Sequence, residues 1–414
     1  MSVFYCSGLL LVMICFGQCQ KDSILFTYGS EHYMRIFNLN GSFSTVYGTK
    51  GVSGYIDGVA GVAKFNYPGR GIITPSNTSL MLFDSSLVLR KLNLKTGSVS
   101  SYAGAFHYSV SIDSDSIDGD GISATFAPIK AVYYSNTLKG FYVSTNAPAV
   151  RFVTFPLAVV STILGSSYNR MGNTDGIIGG SGRAPGSAPY YPSLDESFFI
   201  VTSTSYRNVK RLDVATLQMT TLAGRSGMTS PSGCTDGIGS NALFSTPTKV
   251  LFSESGNDIY IADPGSYSIR VLNLLTTTVS TLVGTCPTVS PTVADGVGVG
   301  FYVIDIIMSS DKKNIYATQY TFPGLRKVEI STRLVSTIGA SVLPTTLGPI
   351  WMVLMPVIPV FPTCRLGEYY WDNEPLCISC PAGYYCLSAT LPPTKCTPGT
   401  AAAFCFPQIL IFPK

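Results

Sequence analysis

Asp-Gly pairs recur along this chain at Asp57, Asp118, Asp175, Asp236 and Asp295, at intervals of 57 to 61 residues. A second series, Arg35, Arg90, Arg151, Arg211, Arg270 and Arg326, runs in step with them. Each of these arginines is followed 13 or 14 residues later by a glycine: Gly48, Gly104, Gly165, Gly224, Gly284 and Gly339. Self-similarity at a fixed period means a repeat architecture, in which each unit buries its apolar faces against its neighbours. Residues 57–104 show what one unit contains. A loop, DGVAGVAKFNYP, leads into four short apolar runs, GIIT, LMLFD, VLRKLNL and SVSSYAG. The runs are β-branched or alternating and are punctuated by Pro68, Ser85 and Gly97, which is the signature of strands joined by tight turns. The fourth unit repeats the scheme with TKVLF, DIYIAD, SIRVLNL and TVSTLVG.

Four antiparallel strands per unit, repeated radially, make a propeller blade. The five Asp-Gly units occupy about 49–339. Ahead of them, SILFTYG, YMRIFNLN and FSTVYG supply three strands, and after them GPIWMVLMP at 348–356 supplies one. Three plus one completes a sixth blade, and closing the ring removes the open edges of the array. The fold class expected is therefore all-β: a six-bladed β-propeller over 23–361. The competing reading of 348–361 as a membrane span fails on length and on Pro349, Pro356 and Pro359.

Composition agrees. Charged residues are 12% of the 414, about half the usual share, and the net charge of +4 contains no basic run. Nucleic-acid binding has no footprint in such a chain. The first 20 residues hold an apolar run, Leu9 to Phe16, that is too short to span a bilayer and reads as a signal peptide over 1–19. A buried first strand is the alternative. Removing the peptide takes away Cys6, Cys15 and Cys19 and leaves an even eight cysteines, as an oxidising compartment favours. Asn40 and Asn77 head glycosylation sequons. The chain is thus expected to be secreted or displayed on a cell surface.

The stretch DGIGSNALF from Asp236, followed by DIYIADPGSYSIRVLNL and VSTLVG, resembles an NHL repeat, and the resemblance covers most of the chain. The third unit departs from it, because DGIIGGSGRAPG lacks the phenylalanine, and the fifth shortens to DGVGVGF. The resemblance implies a propeller that most often serves as a binding platform. It also admits a few extracellular enzymes, including an amidating lyase with a histidine-ligated metal. Within the repeats, Asp-Gly suits a turn with positive φ at glycine, and Phe65, Phe126 and Phe244 are expected to plug between blades. The arginines are expected to lie along blade surfaces, with Asp84–Arg90 and Asp263–Arg270 as hairpin ion pairs.

Chemistry has few candidates. The two histidines, His32 and His107, fall on one predicted face, but a catalytic zinc site wants three protein ligands. Asp113, Asp115, Asp118 and Asp120 form the densest acidic loop, a weak calcium candidate that breaks the EF-hand template at Ile117 and Asp118. The expected innermost strands carry almost no ionisable residue beyond Lys249 and Asp305. No cofactor is expected.

Six cysteines crowd the end of the chain: Cys364, Cys377, Cys380, Cys386, Cys396 and Cys405. CISCPAGYYC resembles an ephrin-receptor-like cysteine-rich repeat, which implies a small disulfide-held module over 364–405. The competing reading is a four-thiolate zinc site including Cys377 and Cys380. Relatives of this kind often continue into further such repeats and a membrane anchor. The remaining pair, Cys234 and Cys286, lies in successive loops on one propeller face and is expected to be bridged. The function expected is a secreted or surface binding module with an unidentified protein or glycan partner and no catalysis. The alternative is an extracellular metal-dependent lyase or esterase with its metal in the central channel.

Overall fold

A computed structural model of the chain describes residues 23–39, 42–85, 87–105, 117–146, 150–164, 172–178, 185, 188–225, 232–284, 294–319, 325–338 and 350–355, with four short strand segments beyond. The architecture is a six-bladed β-propeller. The first blade runs outward through Pro68–Ile73, Ser79–Asp84, Val88–Asn93 and Val99–Ala103. The next four begin at the inner strands Ile129–Ser135, Tyr190–Pro192, Val250–Phe252 and Val303–Met308. The closing blade joins the two ends of the repeat array. Its inner strand Ile350–Met355 pairs with Ser23–Tyr28, in register from Ser23 with Met355 to Tyr28 with Ile350.

Burial follows the ring. Each of the six hydrophobic clusters lies between two neighbouring blades, so no blade has a core of its own. Met81 and Leu89 of the first blade pack with Phe141 and Val153 of the second. Ile24 and Phe26 of the closing blade pack with Tyr316 and Leu325 of the fifth, and Leu25 and Met34 pack with Leu80 and Leu92 of the first. Strands buried on both faces suit this arrangement, as in Ser79–Asp84 and Val88–Asn93, where every residue is buried. The described residues contain no α-helix, only three-residue 3₁₀ turns.

One element departs from the four-strand reading. In the second to fifth blades the residue pair after each repeat aspartate forms a fifth, outermost strand: Gly119–Asp120, Gly176–Ile177, Gly237–Ile238 and Gly296–Val297. In the first blade the same place is taken by a single bridge from Gly58 to Val99. These extra ladders cover the outer edge of each blade, which would otherwise present unpaired backbone groups. They are too short to leave a periodic trace in the sequence.

Gly48 and Gly104 end their blades where the next blade's loop packs close. Gly48 has φ +83, and a Cβ there would stand 2.9 Å from both the His32 carbonyl and the Phe65 ring. Gly104 meets Phe126 in the same way. Only glycine allows both the positive φ and the close approach of the next blade's phenylalanine.

Beyond the propeller, Glu368–Tyr370 pairs with Cys377–Ser379, and Tyr384–Tyr385 with Thr394–Lys395. The cysteine pairing of 364–405 lies outside the described residues.

Candidate functional site

The two repeat series meet each other. Arg270 is fully buried and reaches across to the loop that opens its own blade. Its Nη2 donates to Asp236 Oδ1 at 2.7 Å and to the Thr235 carbonyl at 3.0 Å, and its Nη1 donates to the Leu243 carbonyl at 2.9 Å. The guanidinium lies 5.3 Å from the centre of the Phe244 ring. Asp236 also accepts the Thr281 N–H at 3.1 Å, which ties the loop to the outer strand. Arg90 repeats this with Asp57, Arg151 with Asp118 and Arg326 with Asp295, at 2.7, 2.6 and 3.0 Å. Phe65, Phe126 and Phe301 lie 5.4 Å below their respective guanidinium groups.

The two hairpin pairs differ. Asp84 does bind Arg90 at 2.8 Å, but Asp263 stands 3.9 Å from Arg270 and chiefly accepts the Ser245 and Thr246 N–H groups. Burial works against the Asp118 charge, yet the Thr162 N–H and Arg151 outweigh it and hold the carboxyl below its usual range. Asp295 is held down likewise by Thr337 and Arg326. The cost falls on the cations, since burial pulls Arg151 and Arg326 below the ordinary guanidinium range.

Arg211 does not belong to this series. In each blade the clamping cation sits opposite the fourth residue of the preceding strand: Arg90 opposite Leu82, Arg151 opposite Val143, Arg270 opposite Ile261. In the third blade that place, opposite Val201, is held by Lys210. Lys210 donates to Asp175 at 2.6 Å and to Thr221 at 2.7 Å. Arg211, one residue on, points to the other face of the sheet. There it stacks 3.9 Å over Phe198 and approaches Asp213 at 3.8 Å. The third unit is also the one whose loop lacks the phenylalanine, so the flat guanidinium and the ring under it are replaced together. Arg35 keeps the register, opposite Phe26, among the phenols of Tyr28 and Tyr33.

Of the other sequence candidates, His32 accepts the Tyr67 N–H at its Nδ1, 3.2 Å away, and packs edge-on to the Tyr67 ring. His107, Asp113, Asp115 and Asn40 lie outside the described residues. Asp118 is engaged by Arg151 and Thr162, and Asp120 lies in the outermost strand of its blade. Among the described residues no group of three His, Cys, Asp or Glu side chains is placed to hold a metal. Asn77 is half-buried in a tight turn at φ 64. Cys234 is buried and disulfide-bonded, while Cys286 lies outside the described residues. No helix among the described residues is long and apolar enough to cross a membrane.

A second cluster gathers at the propeller axis. Arg70, Tyr133, Tyr191, Lys249 and Asp305 come from, or directly precede, the inner strands of five different blades. Asp305, with no exposed surface, faces Arg70 Nη2 at 3.3 Å and accepts the Met352 N–H at 3.0 Å. It thereby links the fifth blade to the closing blade and the first. Lys249 Nζ lies 5.7 Å from the Tyr133 ring centre and 6.0 Å from that of Tyr191. Tyr191 donates its hydroxyl proton to the Thr248 carbonyl at 2.6 Å, and Thr202 donates to the same oxygen at 2.8 Å, which joins the third and fourth blades. Burial drives the Lys249 pKa down to about 8, with Asp305 opposing and Arg70 reinforcing that shift. Sequence reading singled out Lys249 and Asp305 and missed Arg70, Tyr133 and Tyr191. The arrangement gathers two cations, one carboxylate and two phenols in a wall of β-structure, so it carries one net positive charge.

No protein-family model matches the chain, and no curated protein matches it. Solved structures do. A chain in a nidogen/laminin complex is 9% identical, with a TM-score of 0.50, over 80% of this chain and 98% of that one. A protein of unknown function from Bacteroides caccae is 10% identical, with a TM-score of 0.47, over 80% of this chain and 99% of that one. At 9% identity the likeness to the chain of the nidogen/laminin complex shows the propeller fold alone.

Proposed function

We propose that the protein is a secreted or cell-surface binding module, an NHL-type propeller followed by a short cysteine-rich stalk, that holds a protein partner without transforming it. The observation that carries this reading is an apolar rim. The residue two places after the repeat aspartate is an aliphatic left more than half exposed in four blades: Val59, Ile177, Ile238 and Val297. Ile122 is exposed to a similar degree in the second blade. Exposed aliphatics repeated around a rigid disc suit contact with another protein. A chain of similar fold occurring in a nidogen/laminin complex fits a platform of this kind.

The test uses the full chain secreted from eukaryotic cells and immobilised against panels of recombinant surface proteins and of glycans. Saturable binding to a protein, weakened at least tenfold by joint replacement of Val59, Ile177, Ile238 and Val297 with serine, is the expected result. Chelator-sensitive turnover of ester or peptidyl substrates would overturn the reading in favour of a metal-dependent lyase or esterase.

Passage through an oxidising compartment also predicts that Cys234 is bridged to Cys286. Closing a loop of this length stabilises a fold by about 4 kcal/mol in the chain-entropy model. Non-reducing peptide mapping should recover the two peptides joined. Alkylation of either thiol in unreduced, denatured protein would refute the bridge.

A further inference from the structure

The charged residues at the axis are ordered in layers. Arg70, Lys249 and Asp305 each stand one residue before the inner-strand position opposite the fourth residue of the next strand, namely Gly71 opposite Leu82, Val250 opposite Ile261 and Ile306 opposite Ala317. Tyr133 and Tyr191 stand one residue after the same position, marked by Val132 opposite Val143 and Tyr190 opposite Val201. Residues two apart on a strand point the same way, so the ions form one layer and the phenols the adjacent one.

The ionic layer is out of balance. Asp305 is the only carboxylate in it among the described residues, and it is held by Arg70 and by the closing strand. Lys249 has no hydrogen-bond acceptor and no ion-pair partner among the described residues, only the two ring faces. The Tyr133 hydroxyl is buried and without a hydrogen-bond partner among them. Ring faces attract an ammonium but do not neutralise it, and a buried ammonium whose one nearby carboxylate, Asp305, is already paired with Arg70 is costly. Lys249 nevertheless keeps some accessible surface.

We propose that this axial site binds one small monovalent anion, a carboxylate or an inorganic ion of similar size, between the Lys249 ammonium and the Tyr133 hydroxyl. One anion cancels the single net charge, and the same anion gives the Tyr133 hydroxyl an acceptor. A dianion would leave the layer negative. Binding requires the protonated lysine, so it weakens as pH rises through about 8. The groups facing Lys249 are Arg70, Asp305, Tyr133 and Tyr191. Burial raises both phenols above their usual range, so they remain donors throughout.

The experiment is thermal unfolding of the full chain in sodium gluconate, a bulky anion, at constant ionic strength with formate, acetate or chloride titrated in. Wild-type protein at pH 7 should gain several degrees in a saturable manner, because a ligand bound only by the native state stabilises it. The gain should vanish at pH 10. Lys249→Met should abolish it, and Tyr133→Phe, which keeps the charge, should weaken the apparent affinity about tenfold. A response to formate and acetate alone would assign a carboxylate site, and a response to chloride as well would assign a general monoanion site. No saturable response at pH 7, or an equal one in Lys249→Met, would overturn the proposal.

Discussion

Asp305→Ala should lower the unfolding free energy by about 4 kcal/mol, measured by urea denaturation at pH 7, the range seen when one partner of a buried ion pair is removed. The carboxylate has no exposed surface and engages two blades besides its own through Arg70 and the Met352 N–H. Its loss strands that N–H and leaves the Arg70 and Lys249 cations facing one another. Adding Lys249→Met to Asp305→Ala should therefore recover part of the loss. A double-mutant cycle giving purely additive effects would show that the axial charges do not interact.

The lysine has its own pH signature. Its folded pKa of about 8 lies below the ordinary 10.5, so between those values the unfolded chain binds more protons than the native one. Wild-type stability should therefore rise between about pH 8 and 9, below the range in which the tyrosines of the unfolded chain ionise. Lys249→Met should lack the Lys249 share of that rise and be more stable at pH 7 by about 3 kcal/mol, the equivalent of a shift of this size.

Arg270→Ala should cost about 3–5 kcal/mol. The side chain serves the Thr235 and Leu243 carbonyls, Asp236 and the Phe244 ring at once, and its removal leaves the fully buried Asp263 without its nearby cation. Arg211→Ala is the control. Arg211 is about two-fifths exposed and its contact with Asp213 is a loose surface one, so the change should stay within about 1 kcal/mol. Comparable losses at 270 and 211 would refute the register assignment that puts Lys210 in the clamp.

These contrasts show what the sequence could and could not reveal. Blade number and the closing of the ring were legible because both rest on counting strands between evenly spaced turns. The clamp was half legible. Aspartate and arginine share a period, but their contact joins residues over 30 positions apart, whereas the hairpin partners Asp84 and Asp263 lie only six or seven away, within one strand pair. Arg211 keeps the period by residue type but not by strand register, and a one-residue step changes the face. The axial cluster obeys no period at all. Arg70, Tyr133 and Tyr191 each occur once, and only aligning inner strands by register brings them beside Lys249 and Asp305.

The closing blade has a consequence for synthesis. Ser23–Tyr28 emerges from the ribosome first among the propeller strands, yet its inner partner Ile350–Met355 is made last. Until then the nascent chain is a horseshoe whose leading strand offers unpaired backbone groups to any extended segment nearby. The five intermediate blades can zip as local hairpins while translation continues, but the ring cannot close until Ile350–Met355 has emerged. A stop codon before residue 350 would thus leave a nearly complete disc with a permanently open seam, and such truncated chains should be recovered as strand-exchanged oligomers or aggregates.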